Sequence, residues 1–202
     1  MTRLREKQRG GRPELDALLD SVIVGHFALT DADAHPLILP TAVARDGDRV
    51  LCHGSTGSPW MRRLADGVQA CLAVTALDGL VVARSAFESS LHYRSAVLFG
   101  SCAVVEDETD KLRALDLLTE AMLPGRGAEI RRPTRRELDA TLVLALPITQ
   151  WSLKVSDGWP DDPPEDVAGT AWAGVVALRT SREVPIAAPD LGAGIPVPAS
   201  LR

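Results

Sequence analysis

Hydrophobic positions near the start of the chain recur at the spacing of an α-helix. Leu15, Leu18, Leu19 and Val22 follow Pro13 at intervals of three and four residues. This spacing puts the apolar side chains on one face of a helix, and proline is favoured in the first turn. The pattern predicts a surface helix with one buried face.

The same spacing predicts three further helices. Ser58 is suited to cap a short helix, and Asp107 is suited to cap a longer helix over residues 108–123. Thr134 and Glu137 have the spacing of a capping box, in which each residue's side chain bonds to the other's backbone. We therefore expect a further short helix after Thr134.

The rest of the chain is made of short apolar runs bounded by turn residues, a pattern typical of β-strands. The runs are FALTD, LILPTAVAR, RVLCHG, QACLAVTAL, LVVARSAF, RSAVLFGSCAVVED, TLVLALPITQWSLKV and AWAGVVAL. An Asp-Gly pair between QACLAVTAL and LVVARSAF predicts a turn there. Six or more strands with few helices favour a barrel or a sandwich with helices packed outside, rather than a doubly wound parallel sheet.

Composition and charge narrow the class of protein. The chain has 202 residues, of which 46% are hydrophobic, and a net charge of -5, which fits one soluble domain and argues against a nucleic-acid partner. Residues 1–12 hold five basic side chains against one acidic side chain. We interpret residues 1–12 as a disordered basic arm, residues 13–180 as a single domain, and residues 181–202 as a tail rich in Pro, Gly and Ala.

The cysteines and the apolar segments indicate where in the cell the protein is located, and the histidines indicate whether it binds a metal. Cys52, Cys71 and Cys102 lack the spacing of a disulfide framework, which indicates a reducing, cytoplasmic setting. No apolar stretch is long enough to span a membrane. The four histidines lack the spacing of a zinc site, so no metal is predicted.

Residues 52–62, CHGSTGSPWMR, join the end of a strand to the start of a helix through a turn rich in hydroxyl groups. The first amides of a helix have no internal partner and attract anions such as phosphate. Ser55, Thr56 and Ser58 could add donors, and Arg62 could add charge. The stretch lacks the Gly-Lys-Ser/Thr ending of a P-loop and the Gly-x-Ser-x-Gly of a nucleophile elbow. It is either a structural turn or a cradle for a phosphate.

Several motifs in order resemble one known family. The stretches HGSTGSPWMRRLADG, LDGLVVARSAF, YRSAVLFG, LPITQWSLKV and WAGVVAL are similar to segments of the pyridoxamine 5'-phosphate oxidase-like family of FMN-binding split-barrel proteins. The likeness covers roughly residues 13–180. It implies a mainly β fold with flanking helices, built on a six-stranded antiparallel split barrel, and a homodimer with FMN at the subunit interface.

The resemblance also implies which residues contact FMN. Pro40 and Thr41 would border the isoalloxazine ring, and Arg94 and Ser95 would reach it from a neighbouring strand. The residues implied at the phosphate, the ribityl chain and the far side of the pocket are His53, Gly54, Ser55, Thr56, Ser58, Lys154 and Trp172. Arg62 is a further candidate for cofactor binding from its position one turn into the helix.

The first functional hypothesis is an FMN-dependent oxidoreductase that acts on a small molecule. The flavin would carry the hydride, and the protein would supply binding and electrostatics. His53 and His92 are candidate proton shuttles, because imidazole titrates near neutral pH. A buried, hydrogen-bonded histidine is the alternative for each.

Departures from the family pattern support other hypotheses. Pro59 stands where relatives have a basic residue, Glu88 and Ser89 stand in place of a His-His pair, and Ser156 replaces an arginine. Loss of such groups removes charge-assisted hydrogen bonds to the cofactor. The chain could then be a split barrel with weakened or lost FMN binding that serves as a non-redox binding protein or a specialised biosynthetic enzyme, or it could use a deazaflavin coenzyme.

Overall fold

The computed structural model describes residues 10–202; residues 1–9, most of the predicted basic arm, lie outside the described part. The described chain contains five α-helices and nine strands. The helices are α1 Arg12–Ser21, α2 Pro59–Ala65, α3 Glu108–Met122, α4 Arg135–Ala140 and α5 Pro164–Val167. The strands are β1 Val24–Thr30, β2 Pro36–Asp46, β3 Arg49–Ser55, β4 Gln69–Val82, β5 Ser90–Ser101, β6 Ala103–Val104, β7 Thr141–Pro147, β8 Gln150–Ser156 and β9 Gly174–Ala177.

The strands form one antiparallel sheet. Its order is β6-β7-β3-β2-β1-β4-β5-β8, and β9 is added along part of β4. A mainly antiparallel sheet with flanking helices confirms the predicted fold class. The predicted number of six strands is wrong, because eight strands follow one another along the sheet and β9 joins them from the side.

The inner face of the sheet closes around the main hydrophobic core. Phe27 of β1 and Leu72 of β4 are fully buried there, and α1 adds the predicted side chains Leu15, Leu18 and Leu19. The helix face that the apolar spacing predicted to be buried is therefore the face that packs into the core. Burial of these large side chains is the main stabilising contribution to the fold.

Helix α3 covers part of the other face. Its Ala114 and Leu118 pack against Leu51 of β3 and Val143 of β7 in a second, smaller core. Asp107 caps the helix as predicted, because its side chain accepts a hydrogen bond from the amide of Asp110. The sheet is thus covered by α3 at the β6-β7-β3-β2 end.

The predicted Asp-Gly turn is wrong. Strand β4 runs through Asp78 and Gly79 with only a bulge between Leu77 and Gly79. Gly79 is required because the backbone of β9 passes so close that a Cβ at this position would lie 2.9 Å from the carbonyl oxygen of Val176. The Asp78 carboxylate is held by Arg94 of β5. Tertiary partners therefore keep an apparent turn sequence extended.

Two runs predicted as single strands are each divided. RSAVLFGSCAVVED breaks after Ser101, so that β5 pairs with β4 and β8 whereas β6 pairs with β7. TLVLALPITQWSLKV breaks at residues 148–149, where the amide of Ile148 donates to the carbonyl of Asp48. Its halves, β7 and β8, then lie at opposite ends of the sheet.

The remaining segments agree with the pattern in outline. Thr134 and Glu137 form the predicted capping box at the start of α4. The segment AWAGVVAL contains β9, and the tail is largely exposed, with one short 3-10 turn at Ala199–Leu201. Within residues 10–202, no helix has the length and apolarity needed to cross a bilayer.

An ion-pair cluster at the end of β2 gives a pH-dependent prediction. Asp46 accepts hydrogen bonds from Arg113 of α3 at 2.9 and 2.8 Å and from Arg49 of β3 at 2.8 Å. Arg113 above all, and then Arg49, lowers the pKa of Asp46 to about 2. A carboxyl whose folded pKa is depressed stabilises the fold above its ordinary pKa and loses this contribution as pH falls toward the folded value.

We therefore expect Asp46→Asn to lower the free energy of unfolding by about 1 kcal/mol at neutral pH. The difference from wild type should shrink below pH 4 and vanish only below pH 2. Urea titrations at several pH values measure it, with the exposed Asp190→Asn as control. A difference that stays constant with pH would contradict the ion-pair origin.

Candidate functional site

The strand register defines a row of side chains on the outer face of the sheet. His26 of β1 lies directly between Pro40 of β2 and Ala73 of β4, and Ala73 lies opposite Val97 of β5. Directly opposed residues in antiparallel strands share a face, and successive residues alternate between faces. Because Phe27 points into the core, its neighbour His26 and this whole row point outward.

A second row continues on the same face. Thr75 of β4 lies opposite Ser95 of β5, and Ser95 lies opposite Lys154 of β8. None of these side chains is buried. We define the outer face as these two rows. Pro40, Ser95 and Lys154, three residues that the family resemblance implied at a flavin, lie on this one face, although their strands are far apart in the chain.

His26 is an outer-face residue that the sequence reasoning did not select. It is exposed and is flanked by Pro40 and Ala73. The alternation of β1, which buries Phe27 and Leu29, was the signal that could have placed it. Lys154 lies with its ammonium 5.5 Å from the ring centre of Tyr93, a cation–π distance.

Two other predicted flavin residues lie on the opposite face. Thr41 is paired with Gly25, the neighbour of His26. Arg94 is paired with Ala76 and forms two 2.9 Å hydrogen bonds to Asp78. These bonds raise the pKa of Arg94 and lower the pKa of Asp78. Thr41 and Arg94 therefore do not point toward the outer face.

Trp172 stands apart from both groups. It is 65% exposed, and its ring lies over Gly174 at the start of β9, where a Cβ would come within 2.8 Å of the indole. Gly174 is therefore explained by close packing of Trp172. The predicted contact of Trp172 with a flavin stays a prediction.

The segment 52–62 forms the expected strand, turn and helix, and several of its small residues have structural partners. A Cβ at Gly54 would lie 2.9 Å from Met61, a buried residue of α2. The hydroxyl of Ser55 accepts from the amide of Gly57 at 3.1 Å, and the amide of Thr56 donates to the carbonyl of Ala140 at 3.0 Å. The explanation as a turn accounts for Gly54, Ser55 and Thr56.

The side chains of Ser58 and Arg62 make fewer structural contacts than those of Ser55 and Thr56 in the same turn. Ser58 occupies the N-cap position of α2, but its side chain makes no capping hydrogen bond, so that part of the expectation is wrong. Arg62 is exposed on this seven-residue helix. That the turn and α2 cradle a phosphate stays a prediction.

A cavity of about 460 Å³ lies between β3, α3 and the segment that leads into β7. Its apolar lining is Leu115, Leu118, Met122, Ile130, Pro133 and Leu138, and its polar lining is His53, Thr119, Arg131, Glu137 and Thr141. Arg131 donates to Glu137 at 2.8 and 2.6 Å. Leu115 and Met122 of α3 are only partly buried, and both line this cavity.

His53 faces this cavity without a hydrogen-bond partner. Its Nδ1 is buried and unpaired among the described residues. Burial lowers the pKa of His53, so the neutral imidazole is favoured. Buried polar atoms are rarely left unpaired in native structures, so this nitrogen marks a functional candidate.

The other candidate proton shuttle, His92, has a partner. Its Nε2 lies 2.8 Å from the carbonyl oxygen of Gly158, which requires that this nitrogen carry the proton and donate it. His92 thereby attaches the loop after β8 to β5. This contact fits a structural role better than proton transfer.

A turn between β1 and β2 brings Asp31, Asp33 and His35 close enough to hold a cation. Asp31 already accepts from the amides of Asp33 and His35 at 2.9 and 2.8 Å. The bond from the His35 amide contributes most to lowering the pKa of Asp31. The cluster is explained as a stabilised turn.

Comparisons with known proteins agree with this geometry. Residues 11–155 match the model of a family described as pyridoxamine 5'-phosphate oxidase. The structure of the FAD and heme binding protein from Mycobacterium smegmatis is 53% identical, with a TM-score of 0.91 over 96% of this chain and 95% of that chain. The flavocytochrome Anf3 from Azotobacter vinelandii is 32% identical, with a TM-score of 0.91 over 100% of this chain and 93% of that one. No curated protein matches the chain.

Proposed function

This chain belongs to the pyridoxamine 5'-phosphate oxidase family, and we propose that it is a flavin-binding redox protein that also carries a haem. The observation that carries the flavin proposal is the outer face, the single face of the sheet on which Pro40, Ser95 and Lys154 all lie. The two relatives named above support it, because their names include FAD and haem or describe a flavocytochrome. They favour FAD over the FMN that the sequence resemblance implied.

The outer face suits a flat aromatic ring. Ala73, Thr75 and Ser95 are small side chains on neighbouring strands, so they leave a shallow surface on which a planar group can lie. Lys154 adds a positive charge at its edge, and His26 adds an imidazole beside Pro40 and Ala73. The residues present therefore fit an isoalloxazine ring.

A bound flavin would supply hydride or single-electron transfer. The chain's own residues would bind and orient the ring, and the ammonium of Lys154 would favour negative charge on a reduced flavin. We propose oxidoreductase activity on a small molecule. Arg94 already pairs with Asp78 within the subunit, which leaves Lys154 as the basic outer-face candidate.

Identification of the released cofactor tests this proposal. The full chain should be purified, heated or acidified to release its ligands, and the extract separated against FAD, FMN and deazaflavin standards. Stoichiometric FAD would support the proposal. FMN or a deazaflavin would support the corresponding alternative from the sequence, and a protein that contains no flavin and refuses all three would support the non-redox binding protein.

Removal of the outer-face cation should weaken flavin binding. We expect Lys154→Ala to raise the dissociation constant for the flavin about tenfold to a hundredfold, because one charge-assisted hydrogen bond is worth roughly 1.5–3 kcal/mol. Flavin fluorescence titration measures this effect. Arg136→Ala, which removes an exposed cation from α4, is the matched control, and equal affinity in the two variants would contradict the placement.

We also propose that the protein is a homodimer with the flavin at the subunit interface. Apolar side chains are exposed on the sheet, among them Ile38 of β2, Leu77 of β4 and Phe99 of β5, at 69%, 49% and 40%. A second copy would bury them. Light scattering during size-exclusion chromatography measures the mass; a monomer that still holds its flavin would contradict this proposal.

The three cysteines are all free thiols. Since free thiols persist in reducing compartments, we propose a cytoplasmic location. Fractionation of cells that express the chain would test it, and recovery in an oxidising compartment would contradict it.

A further inference from the structure

We infer that the cavity beside β3 is the site that would hold the haem and that His53 would be a ligand of its iron. This inference rests on the proposed function, which includes a haem, and it assigns that group to particular residues. It competes with the flavin contact that the sequence resemblance implied for His53.

The cavity has the chemistry of a haem pocket. Six of its eleven lining residues are apolar, and two of them, Leu115 and Leu118, are contributed by successive turns of α3. A porphyrin is flat and mostly apolar, so it gains most from such walls. The cavity volume of about 460 Å³ lies within the range of small-molecule and cofactor sites.

His53 supplies the donor that iron requires. Its imidazole makes no hydrogen bond within the described residues, and its Nδ1 is buried. Neutral imidazole is a common ligand of haem iron. Coordination of iron by the ring nitrogen that faces the cavity would give the imidazole a partner that none of the described residues provides.

Tight packing around β3 fixes the position of His53. Val143, its partner on β7, is fully buried beneath α3. The adjacent Gly54 has no room for a side chain because of Met61. A ligand on a central strand with both neighbouring positions packed keeps its orientation, as a metal site requires.

The cavity lining also includes a positively charged side chain, Arg131, that could pair with the propionate groups of a haem. This side chain is 68% exposed and is held by Glu137. The exposure places the guanidinium where it can pair with a propionate at the solvent edge. Arginine is well suited to such carboxylates because its donors form a planar fork.

The remaining histidines are less suited to this role. All four histidines of the chain lie within the described residues. His92 donates to Gly158, His35 belongs to the Asp31 turn, and His26 lies exposed on the outer face. Among the described histidines, only His53 lines the cavity.

The test compares hemin binding by wild type, His53→Ala and His35→Ala as full-length proteins stripped of ligands. Loss of groups that merely orient a metal ligand costs about 10–100-fold in metal affinity, so we expect loss of the ligand itself to weaken hemin binding at least about a hundredfold. The Soret absorption measures hemin binding, and electron paramagnetic resonance reports imidazole coordination. His35→Ala should resemble wild type, and added imidazole should restore the spectrum of His53→Ala.

A second variant keeps the inference testable if His53→Ala fails to fold. Leu115→Trp would fill the cavity and leave His53 in place, so it should also lose hemin binding, with circular dichroism as the check on folding. Wild-type hemin affinity and spectrum in either folded variant would overturn the inference.

Flavin content, measured in the same samples, separates this inference from the proposed function. If His53→Ala loses flavin but keeps hemin, the inference is overturned and the sequence assignment of His53 to the flavin is supported. If wild type keeps flavin and binds no hemin, the inference is overturned and the flavin proposal stands. If wild type binds neither, both are overturned.

Discussion

Phe27→Ala is expected to lower the free energy of unfolding by about 3–5 kcal/mol, the usual cost of emptying a large aromatic site in a core. Phe27 is fully buried near the middle of β1, between Leu39 of β2 and Leu72 of β4 in the register. Its removal would leave a cavity where α1 and the sheet meet, because neighbouring backbones are fixed by hydrogen bonds on both sides.

Chemical denaturation of wild type, Phe27→Ala and Phe27→Leu measures this effect. Phe27→Leu keeps most of the apolar volume and should cost less than half as much. Equal stability of Phe27→Ala and wild type would show that β1 is not the centre of the core. Flavin content should fall only in proportion to the unfolded fraction, since Phe27 points away from the outer face.

The local elements of this fold could be predicted because they follow from the spacing of apolar residues. Residues 15–22 predicted α1, and its three leucines are buried as expected. The Asp-Gly pair of β4 failed as a turn signal because Arg94 and the backbone of β9 constrain it, and both partners are distant in sequence. Pattern reasoning cannot place such partners before the sheet order is known.

The candidate site was predictable only in part, for the same reason. Motif resemblance selected Pro40, Ser95 and Lys154, and the register places them on one face. It did not find His26, which belongs to no motif. Nor could the spacing of Leu115 and Met122 show whether α3 packs fully against the sheet or leaves a cavity beside it, because periodicity gives the direction of an apolar face and not its partner.

The loop after β8 depends on one buried carboxylate. The side chain of Asp162 is 1% exposed; it accepts from the amide of Arg84 at 2.8 Å and from its guanidinium at 2.9 Å. The Nε of Arg84 is itself buried without a partner. Removal of the carboxylate would leave a largely buried cation with further unmet hydrogen-bonding groups, which is more costly than loss of a surface ion pair.

We therefore expect Asp162→Ala to lower the free energy of unfolding by about 2–3 kcal/mol. Asp161→Ala, an exposed neighbour, is the matched control and should cost little. Because the loop also holds Gly158, the partner of His92, hydrogen exchange should rise first across residues 157–173 and β9. A stability loss without faster exchange there would mean that Asp162 supports the global fold rather than the loop.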